Sequence, residues 1–418
     1  MRFIHAADIH LDSPLTGLSA YQDAPVHRLR TATREAFTRL VSLAIDAAVD
    51  FMVIAGDLYD GNWKDHNTGL YFVAQMGRLN RAGIPVYLLY GNHDAESQMT
   101  RKLLMPGNVH VFPANKASTF THNDLKLAVH GRSFKVAATT DNLAATYPPP
   151  VPGMFNIGVL HTALEGNAAH ANYAPCSLAE LQAKGYQYWA LGHVHEYGMW
   201  PGEACVVFPG NLQGRNIRET GPRGAVMVNV DAQGHVQVER LLVDVLRWHR
   251  LVVDVSACDS FAQVVRAIGN AMQDLLAEQD SDLLLAVRVV VEGVSAVHGE
   301  LFGQEGQLRA EVLGQVAALG HDRLWLEKVK LATSAPAEPA TEHDRAEALA
   351  DLRTLLLQAE TDTDFLESLQ SELMGLVGKA PPELQGSVPW FDDIRAGDLS
   401  GLLNEVGPAL MAHLSKAE

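Results

Sequence analysis

The chain has 418 residues, enough for two or three domains, and 47% of them are hydrophobic with a mean hydropathy near zero, the profile of a globular protein. No apolar run approaches the ~20 residues a membrane helix needs, and the first residues, Arg2-Phe-Ile-His-Ala-Ala, read as a strand rather than a signal peptide. A net charge of −17 argues against a simple nucleic-acid-binding surface, and Cys176, Cys205 and Cys258 fit neither a disulfide framework nor a zinc ribbon, so a cytoplasmic location with reduced thiols is expected.

In chain order, Phe3–Ala7, Phe51–Ala55, Val86–Tyr90 and Ile157–Leu160 are short apolar runs that read as buried strands. Between the first two, Phe37, Leu40, Ala44 and Ala47 recur on one face of a helix expected over 28–48. Strand, helix, strand predicts a parallel βαβ unit with a right-handed crossover. Beyond Tyr188 the texture changes to short strands and turns, and 225–230 and 236–243 flank Asp231-Ala-Gln-Gly234 as an antiparallel hairpin.

A second domain is expected over 246–332. It has strand patterns at 249–255 and 284–292 and helical ones at 260–279 and 301–319, together a small α+β cap domain. A Pro/Ala-rich linker is expected over 333–345 and a helical C-terminal region over 346–418. There Leu349, Leu352 and Leu356 line one helix face, and Phe365, Leu369 and Leu373 another. Residues 333–418 hold 16 acids and 5 bases, which leaves −6 for the rest of the chain. These acidic helices either pack on the body or dock a partner.

The chemistry lies in five segments that follow apolar runs: Asp8-Ile-His10, Gly56-Asp57, Gly91-Asn92-His93-Asp94, Leu160-His161 and Gly192-His193-Val-His195. Taken singly, each has an ordinary reading: a turn with a solvated Asp, a βα turn, a satisfied buried histidine. Taken together, they supply Asp, Asn and His in order at strand ends, which is what a two-metal hydrolytic site needs. A carboxylate such as Asp57 has two oxygens and can bridge two cations. An Asn amide oxygen is a neutral ligand, and the neighbouring His93 can stay unligated and act as an acid. His193 and His195, two apart on an extended segment, point to one side.

The ordered pattern resembles the calcineurin-like metallophosphoesterases, and more closely the SbcD-type DNA repair exonucleases, in particular their YhaO-like branch. The likeness is carried by Ile4-His-Ala-Ala-Asp-Ile-His-Leu-Asp-Ser-Pro14, Gly56-Asp-Leu-Tyr-Asp-Gly-Asn-Trp-Lys64, Tyr188-Trp-Ala-Leu-Gly-His-Val-His195 and Phe208-Pro-Gly-Asn-Leu-Gln-Gly-Arg215. It covers roughly residues 1–245, the expected catalytic domain.

The resemblance implies a four-layer αββα sandwich with a dinuclear centre, usually manganese. One metal would take Asp8, His10, Asp57 and His195, and the other Asp57, Asn92, His161 and His193. His93 would stand unligated beside the scissile phosphate, with Asp94 to orient it. It also implies DNA as substrate and an SMC-like ATPase as partner, with a homodimer as a further assembly; the chain carries no Gly-x-x-x-x-Gly-Lys-Ser/Thr motif of its own.

Lys64, Arg215 and Arg218 are candidate phosphate contacts and Trp63 a candidate base-stacking surface, each with solvated surface as the alternative. One departure stands out: Asp60 occupies the place where these nucleases commonly carry a histidine, which bears on the manner of cleavage. Cyclic nucleotides or phosphoproteins remain alternative substrates, and a non-catalytic scaffold of an ATPase complex a third reading.

Overall fold

The computed structural model describes residues 1–13, 25–60, 66–96, 104–164, 173–280, 282–320, 322–336, 342–359, 362–377, 390–399, 401–403 and 406. Two compact units are present, Met1–Ala335 and Pro336–Glu418.

The first unit is built on two six-stranded sheets and a smaller third. One large sheet contains β1 (Arg2–Ala6), β2 (Phe51–Ala55), β3 (Val86–Leu89) and β4 (Val109–Val111), all parallel. It is extended beyond β1 by the antiparallel hairpin of β11 (Gly224–Val230) and β12 (Val236–Leu242). The second has the order β5 (Ser118–His122), β6 (Leu127–Gly131), β7 (Phe155–His161), β8 (Tyr188–Gly192), β10 (Cys205–Phe208), β9 (Gly198–Trp200), with β6, β7, β8 and β10 parallel.

Strand alternation explains the layering. Phe3, Phe51, Val53, Val129, Ile157, Tyr188, Val226 and Val228 meet between the two sheets, where Phe3 and Phe51 stack with ring centroids 4.6 Å apart. On the outer face of the first sheet, Ile4, Met52 and Ile54 pack on α1 (Val26–Asp46) and α2 (His66–Arg81) through Phe37, Leu40, Phe72 and Met76. On the outer face of the second sheet, Trp189 and Val206 pack with Tyr147, Tyr186 and Leu181, the last on α4 (Leu178–Ala183). Each fully buried side chain of this size contributes roughly 1.5–3 kcal/mol. The result is the four-layer αββα sandwich that the family resemblance implies.

The third sheet joins β13 (Leu246–Asp254), β14 (Leu284–Val294) and β15 (Leu324–Ser334), all parallel, through α5 (Phe261–Ala277) and the pair α6 (His298–Gly303) and α7 (Glu305–Leu319). One face carries Leu285, Val287, Val289 and Val291 against Val264, Ile268, Val312 and Val316 of those helices. At the start of the strands the other face buries Leu246, Trp248, Leu284, Ala286 and Trp325 against Leu29 and Ala32 of α1, which fastens this sheet to the sandwich.

Two elements differ from the sequence reading. β15 was not among the expected strands, and it runs through Ser334, while α8 opens at Glu342, so the connecting stretch is shorter than 333–345. In the second unit, α8 (Glu342–Ala359), α9 (Thr363–Val377) and α10 (Trp390–Ala396) are helical. α9 turns Leu366, Leu369 and Leu373 toward Val377 and Ile394, and Phe365, expected on that face, is 43% exposed. No helix among the described residues is long and apolar enough to cross a membrane.

Candidate metal centre

The site lies at the carboxyl ends of β1, β2, β3, β7 and β8, where parallel strands release the chain into loops. The release is abrupt. Asp8, His10 and Asp57 have φ of 49°, 46° and 51°, and His193 has φ of 100°, backbone conformations that L-residues other than glycine rarely hold without compensation. That compensation is visible in cross-loop hydrogen bonds: Asp8 N–H to Gly56 O (3.0 Å) and His10 N–H to Asp57 O (3.0 Å). His193 N–H donates to the Asp8 carboxylate at 2.9 and 3.1 Å. Gly56, at φ 94°, could not carry a side chain there, because a Cβ would lie 2.5 Å from His161 Nδ1. Gly91 is equally constrained: a Cβ on it would lie 2.8 Å from the His161 ring.

Two sets of donor atoms result. Asp8, His10 and His195 form one, and Asp57, His161 and His193 the other; a third group, His10, Asp60 and His93, adjoins the first, and within each the potential ligand atoms lie within 4.8 Å of one another. In the first, the Nε2 atoms of His10 and His195 face each other at 3.2 Å, with Asp8 Oδ1 4.0 Å from His195 Nε2. Asp57 Oδ2 lies between the sets, 3.9 Å from His10 Nε2 and 3.4 Å from His161 Nε2. Asn92 opens the short helix α3 (Asn92–Glu96), and its Oδ1 is 2.9 Å from His161 Nε2. The sequence-predicted set Asp8, His10, Asp57, Asn92, His161, His193 and His195 is thus brought together from the ends of five strands.

Second contacts aim the imidazoles. His161 Nδ1 meets Ala55 O at 3.0 Å and His195 Nδ1 meets Glu219 Oε1 at 2.9 Å, so that both rings turn Nε2 inward, the arrangement by which outer-shell acceptors orient ligating histidines. Glu219 was not anticipated. It is 8% exposed and also accepts from Asn211 Nδ2 (3.0 Å), Arg215 N–H (2.7 Å) and Arg215 Nη2 (3.1 Å). No local pattern marks such a carboxylate in a polar loop; its role appears only when the loop closes on His195.

The electrostatics are those of a site poised for cations. Burial pushes the Asp8 carboxyl up to about 6, against the pull of His195 and His161. Burial also opposes the charge on Asp57, yet His161, His10 and His93 outweigh it and hold this carboxyl well below the usual range. His161 is pushed up to about 9: burial works against its charge, but the adjoining Asp57 overcomes it, aided by Asp8 and the Ala55 carbonyl. His10 goes the other way, to about 3, through burial and the nearby Arg215. Among the described residues its Nδ1 is buried without a hydrogen-bond partner, 3.6 Å from Asp60 Oδ1. Two facing ring nitrogens and a carboxylate between two clusters fit divalent cations, which are held by mixed N/O ligands of this kind.

His93 stands apart. Its side chain is 39% exposed, and its Nδ1 lies 3.2 Å from Asp60 Oδ1, while its N–H donates to Asp57 Oδ1 at 3.0 Å. Asp94 was expected to orient His93. It instead accepts from the N–H groups of Leu58, Tyr59 and Gly91 at 2.9–3.1 Å, bracing two loops, and the carboxylate at the His93 ring is Asp60. Burial pushes Asp94 up to about 7, with Asp57 adding to the shift. Asp60 is buried enough to resist charging, but His10, Ser13 and Arg215 hold it below the usual carboxylate range. Ser13 Oγ donates to it at 2.5 Å.

Of the expected phosphate contacts, Arg215 sits at the site's edge, 3.1 Å from Glu219 and 3.7 Å from Asp60. Arg218 is exposed on the same loop. Trp63 and Lys64 lie outside the described residues.

Comparison with known proteins places this architecture. Residues 1–197 match the calcineurin-like phosphoesterase family model, and residues 248–334 match the middle domain of metallophosphoesterase YhaO. The uncharacterized metallophosphoesterase YhaO of Bacillus subtilis (strain 168) is 31% identical over 299 residues, which are 71% of this chain and 72% of that protein. The chain belongs to the calcineurin-like metallophosphoesterases, in their YhaO-like branch. The DNA double-strand break repair protein Mre11 of Methanopyrus kandleri is 26% identical over 215 residues, 47% of this chain and 44% of that protein. The chain thus spans under half the length of that relative. The crystal structure of TT1561 of Thermus thermophilus overlaps 57% of this chain and 98% of its own, at 13% identity and a TM-score of 0.33.

Proposed function

We propose that this chain is a two-metal phosphodiesterase acting on DNA. The observation that carries the reading is the position of Asp57 Oδ2 between two donor clusters, with His93 half-exposed beside them. One ion would be held by Asp8, His10, Asp57 and His195, the other by Asp57, Asn92, His161 and His193; the choice of manganese rests on the resemblance to the SbcD-type nucleases. Bound there, the ions would supply charge neutralisation for a phosphoryl group and a water activated at neutral pH.

The chain's own residues do the rest. Asp57 stays ionised because three histidines surround it. Glu219 and the Ala55 carbonyl hold His195 and His161 with Nε2 toward the centre. With Nδ1 turned to Asp60, His93 presents Nε2 to the open side, where it can hold a phosphoryl oxygen or pass a proton to the leaving oxygen. Arg215, anchored by Glu219 and Asp60, keeps a guanidinium at the edge for a non-bridging phosphate oxygen.

DNA rests on the likeness to Mre11 proteins, whose names tie them to double-strand break repair. Residues 1–245 would be catalytic and 246–332 an accessory domain at the site's edge. The acidic helices beyond would dock an SMC-like ATPase in the cytoplasm, and a homodimer is compatible with this arrangement.

End-labelled duplex and single-stranded DNA, a cyclic nucleotide, a phosphopeptide and bis(p-nitrophenyl) phosphate should be offered to the manganese-loaded chain, with and without a candidate ATPase. Cleavage of DNA and of the small diester is expected. Preferential turnover of the cyclic nucleotide or phosphopeptide would replace the DNA assignment, and fewer than one bound ion per chain would favour a scaffold.

A further inference from the structure

The two large sheets each bring part of the candidate metal centre. Asp8, His10, Asp57 and Asn92 follow β1, β2 and β3, while His161 ends β7 and His193 and His195 follow β8. In the ligand assignment above, each ion draws on both groups, so the placement of one sheet on the other sets the geometry at both ions. The layer between the sheets is packed by side chains such as Phe3, Val53, Ile157 and Val228. Apolar burial is non-directional: it holds the sheets together without fixing how far one slides along the other.

His5 supplies a directional contact in that layer. It shares a face of the first sheet with Phe3 and Ala7, which pack against the second, and it is fully buried. Its Nε2 meets Leu191 O at 3.0 Å and its Nδ1 meets the Tyr188 hydroxyl at 2.9 Å, both on β8. A carbonyl can only accept, so Nε2 carries the proton and Nδ1 accepts from Tyr188. Burial, opposed by the Leu191 carbonyl, pushes His5 down to about 3 and keeps the ring neutral.

The Leu191 carbonyl has a reason to need this donor. Cys205 N–H donates to Gln187 O at 3.0 Å where β10 runs parallel to β8. Such pairing repeats at alternate residues, which brings Val207 to Trp189 and then position 209 to Leu191. Residue 209 is proline and has no N–H to give. His5 takes that place from the other sheet. Its Cα lies three residues before Asp8, about 10 Å along the chain, and Leu191 lies just before Gly192-His193. Beyond the strands the same two segments meet again, where His193 N–H donates to the Asp8 carboxylate.

We propose that His5 is a positioning residue for both ions: by tying β1 to β8 it fixes where Asp8 and His10 stand relative to His193 and His195. The inference rests on the two-metal reading above and adds to it a residue outside the ligand set. A buried hydrogen bond is costly to leave unmade, so the contact favours one setting of the sheets over its neighbours, which apolar packing alone does not.

The test compares the full-length parent with His5→Gln, His5→Asn and Tyr188→Phe. A glutamine amide reaches the place of the ring Nε2 and can still donate to Leu191 O, whereas an asparagine amide ends near the place of Nδ1 and cannot. Manganese affinity by calorimetry, the low-temperature electron paramagnetic resonance of the bound ions and turnover of bis(p-nitrophenyl) phosphate are read well below the melting temperature. The parent should bind two ions and give the exchange-coupled signal of a pair sharing the Asp57 carboxylate. His5→Asn should lose much of that coupling and bind manganese about 10-fold or more weakly. Its kcat should fall about 10–100-fold with KM little changed, the scale on which small misplacements act. Tyr188→Phe should move the same readouts in the same direction by less, because the Leu191 bond remains, and His5→Gln should recover most of the loss.

Parent-like coupling, affinity and kcat in His5→Asn, even with a lowered melting temperature, would overturn the proposal and leave His5 a purely structural residue. So would a His5→Gln protein no better than His5→Asn. If His5→Asn does not fold, Tyr188→Phe decides, and a parent-like signal and affinity in it would overturn the proposal. A parent that binds fewer than two ions, or two without coupling, would sink the two-metal reading and this inference with it.

Discussion

Asp60 Oδ1 lies 3.2 Å from His93 Nδ1, within reach of a ring N–H, although the two residues come from different loops, after β2 and after β3. The pairing fixes which nitrogen of His93 faces outward. Asp60→Asn should therefore keep both metals while turnover of a small phosphodiester falls about 10–100-fold, the usual cost of removing an orienting partner. His93→Ala should fall further, by roughly 10²–10⁴. Metal content by elemental analysis beside the rate constants checks this; equal rates for parent and His93→Ala would refute the role.

The His10 and His195 Nε2 atoms are 3.2 Å apart, a hydrogen bond between the two rings, and the spacing also suits two nitrogens sharing one ion. Binding to the folded state alone stabilises by mass action, about 2.7 kcal/mol at a hundredfold excess over Kd. Manganese should thus raise the melting temperature of the metal-free parent by several degrees, and chelator should reverse it. His195→Ala should show a markedly smaller rise; an undiminished one would remove His195 from the ligand set.

Glu219 holds His195 and Arg215 together. Glu219→Gln keeps the shape but removes the charge that draws the His195 Nδ1 proton. Manganese affinity by calorimetry should weaken about 10–100-fold. Because the amide can still accept at one position, Glu219→Gln should retain more affinity than Glu219→Ala. Identical affinities for all three proteins would show that Glu219 acts on the loop alone.

Much of this architecture is legible in the sequence, and the limits are physical. β1, β2, β3 and β7 announce themselves because strands buried on both faces are mostly apolar on both, with buried polar residues such as His5 and Asn156 the exceptions, and α1 because Phe37, Leu40 and Ala44 must share one side. β15 is quieter: after Leu324-Trp-Leu its solvent side carries Lys328 and Lys330, so the apolar run breaks early. Phe365 fits the helical spacing as well as Leu366 does, and periodicity alone could not choose between neighbours one position apart. The residues gathered at the metal centre could be suspected from strand-end positions, whereas Glu219, and the contact of Asp60 with His93, depend on loops closing across the site. Asp94 illustrates the difference: its place beside His93 in sequence suggested a partner, but the short helix α3 turns its carboxylate back onto the N–H groups of Leu58, Tyr59 and Gly91.

Metal loading should depend on pH in a definite direction. Asp8 is pushed up to about 6 and His161 to about 9 in the metal-free protein. A ligand must give up its proton to bind a cation, so below pH 6 protons compete at Asp8, and between 6 and 9 they still compete at His161. Manganese affinity should climb as pH rises from 5 toward 9, with net proton release on binding. The release is measured by calorimetry in buffers of different ionisation enthalpy at pH 7, where the His161 proton should dominate. His161→Gln, which offers an amide in place of the imidazolium, should bind more weakly and release fewer protons at that pH. A pH-independent affinity, or proton uptake on binding, would mean that His161 is not charged before the ion arrives and that the Asp57–His161 pairing in the metal-free chain has been misread.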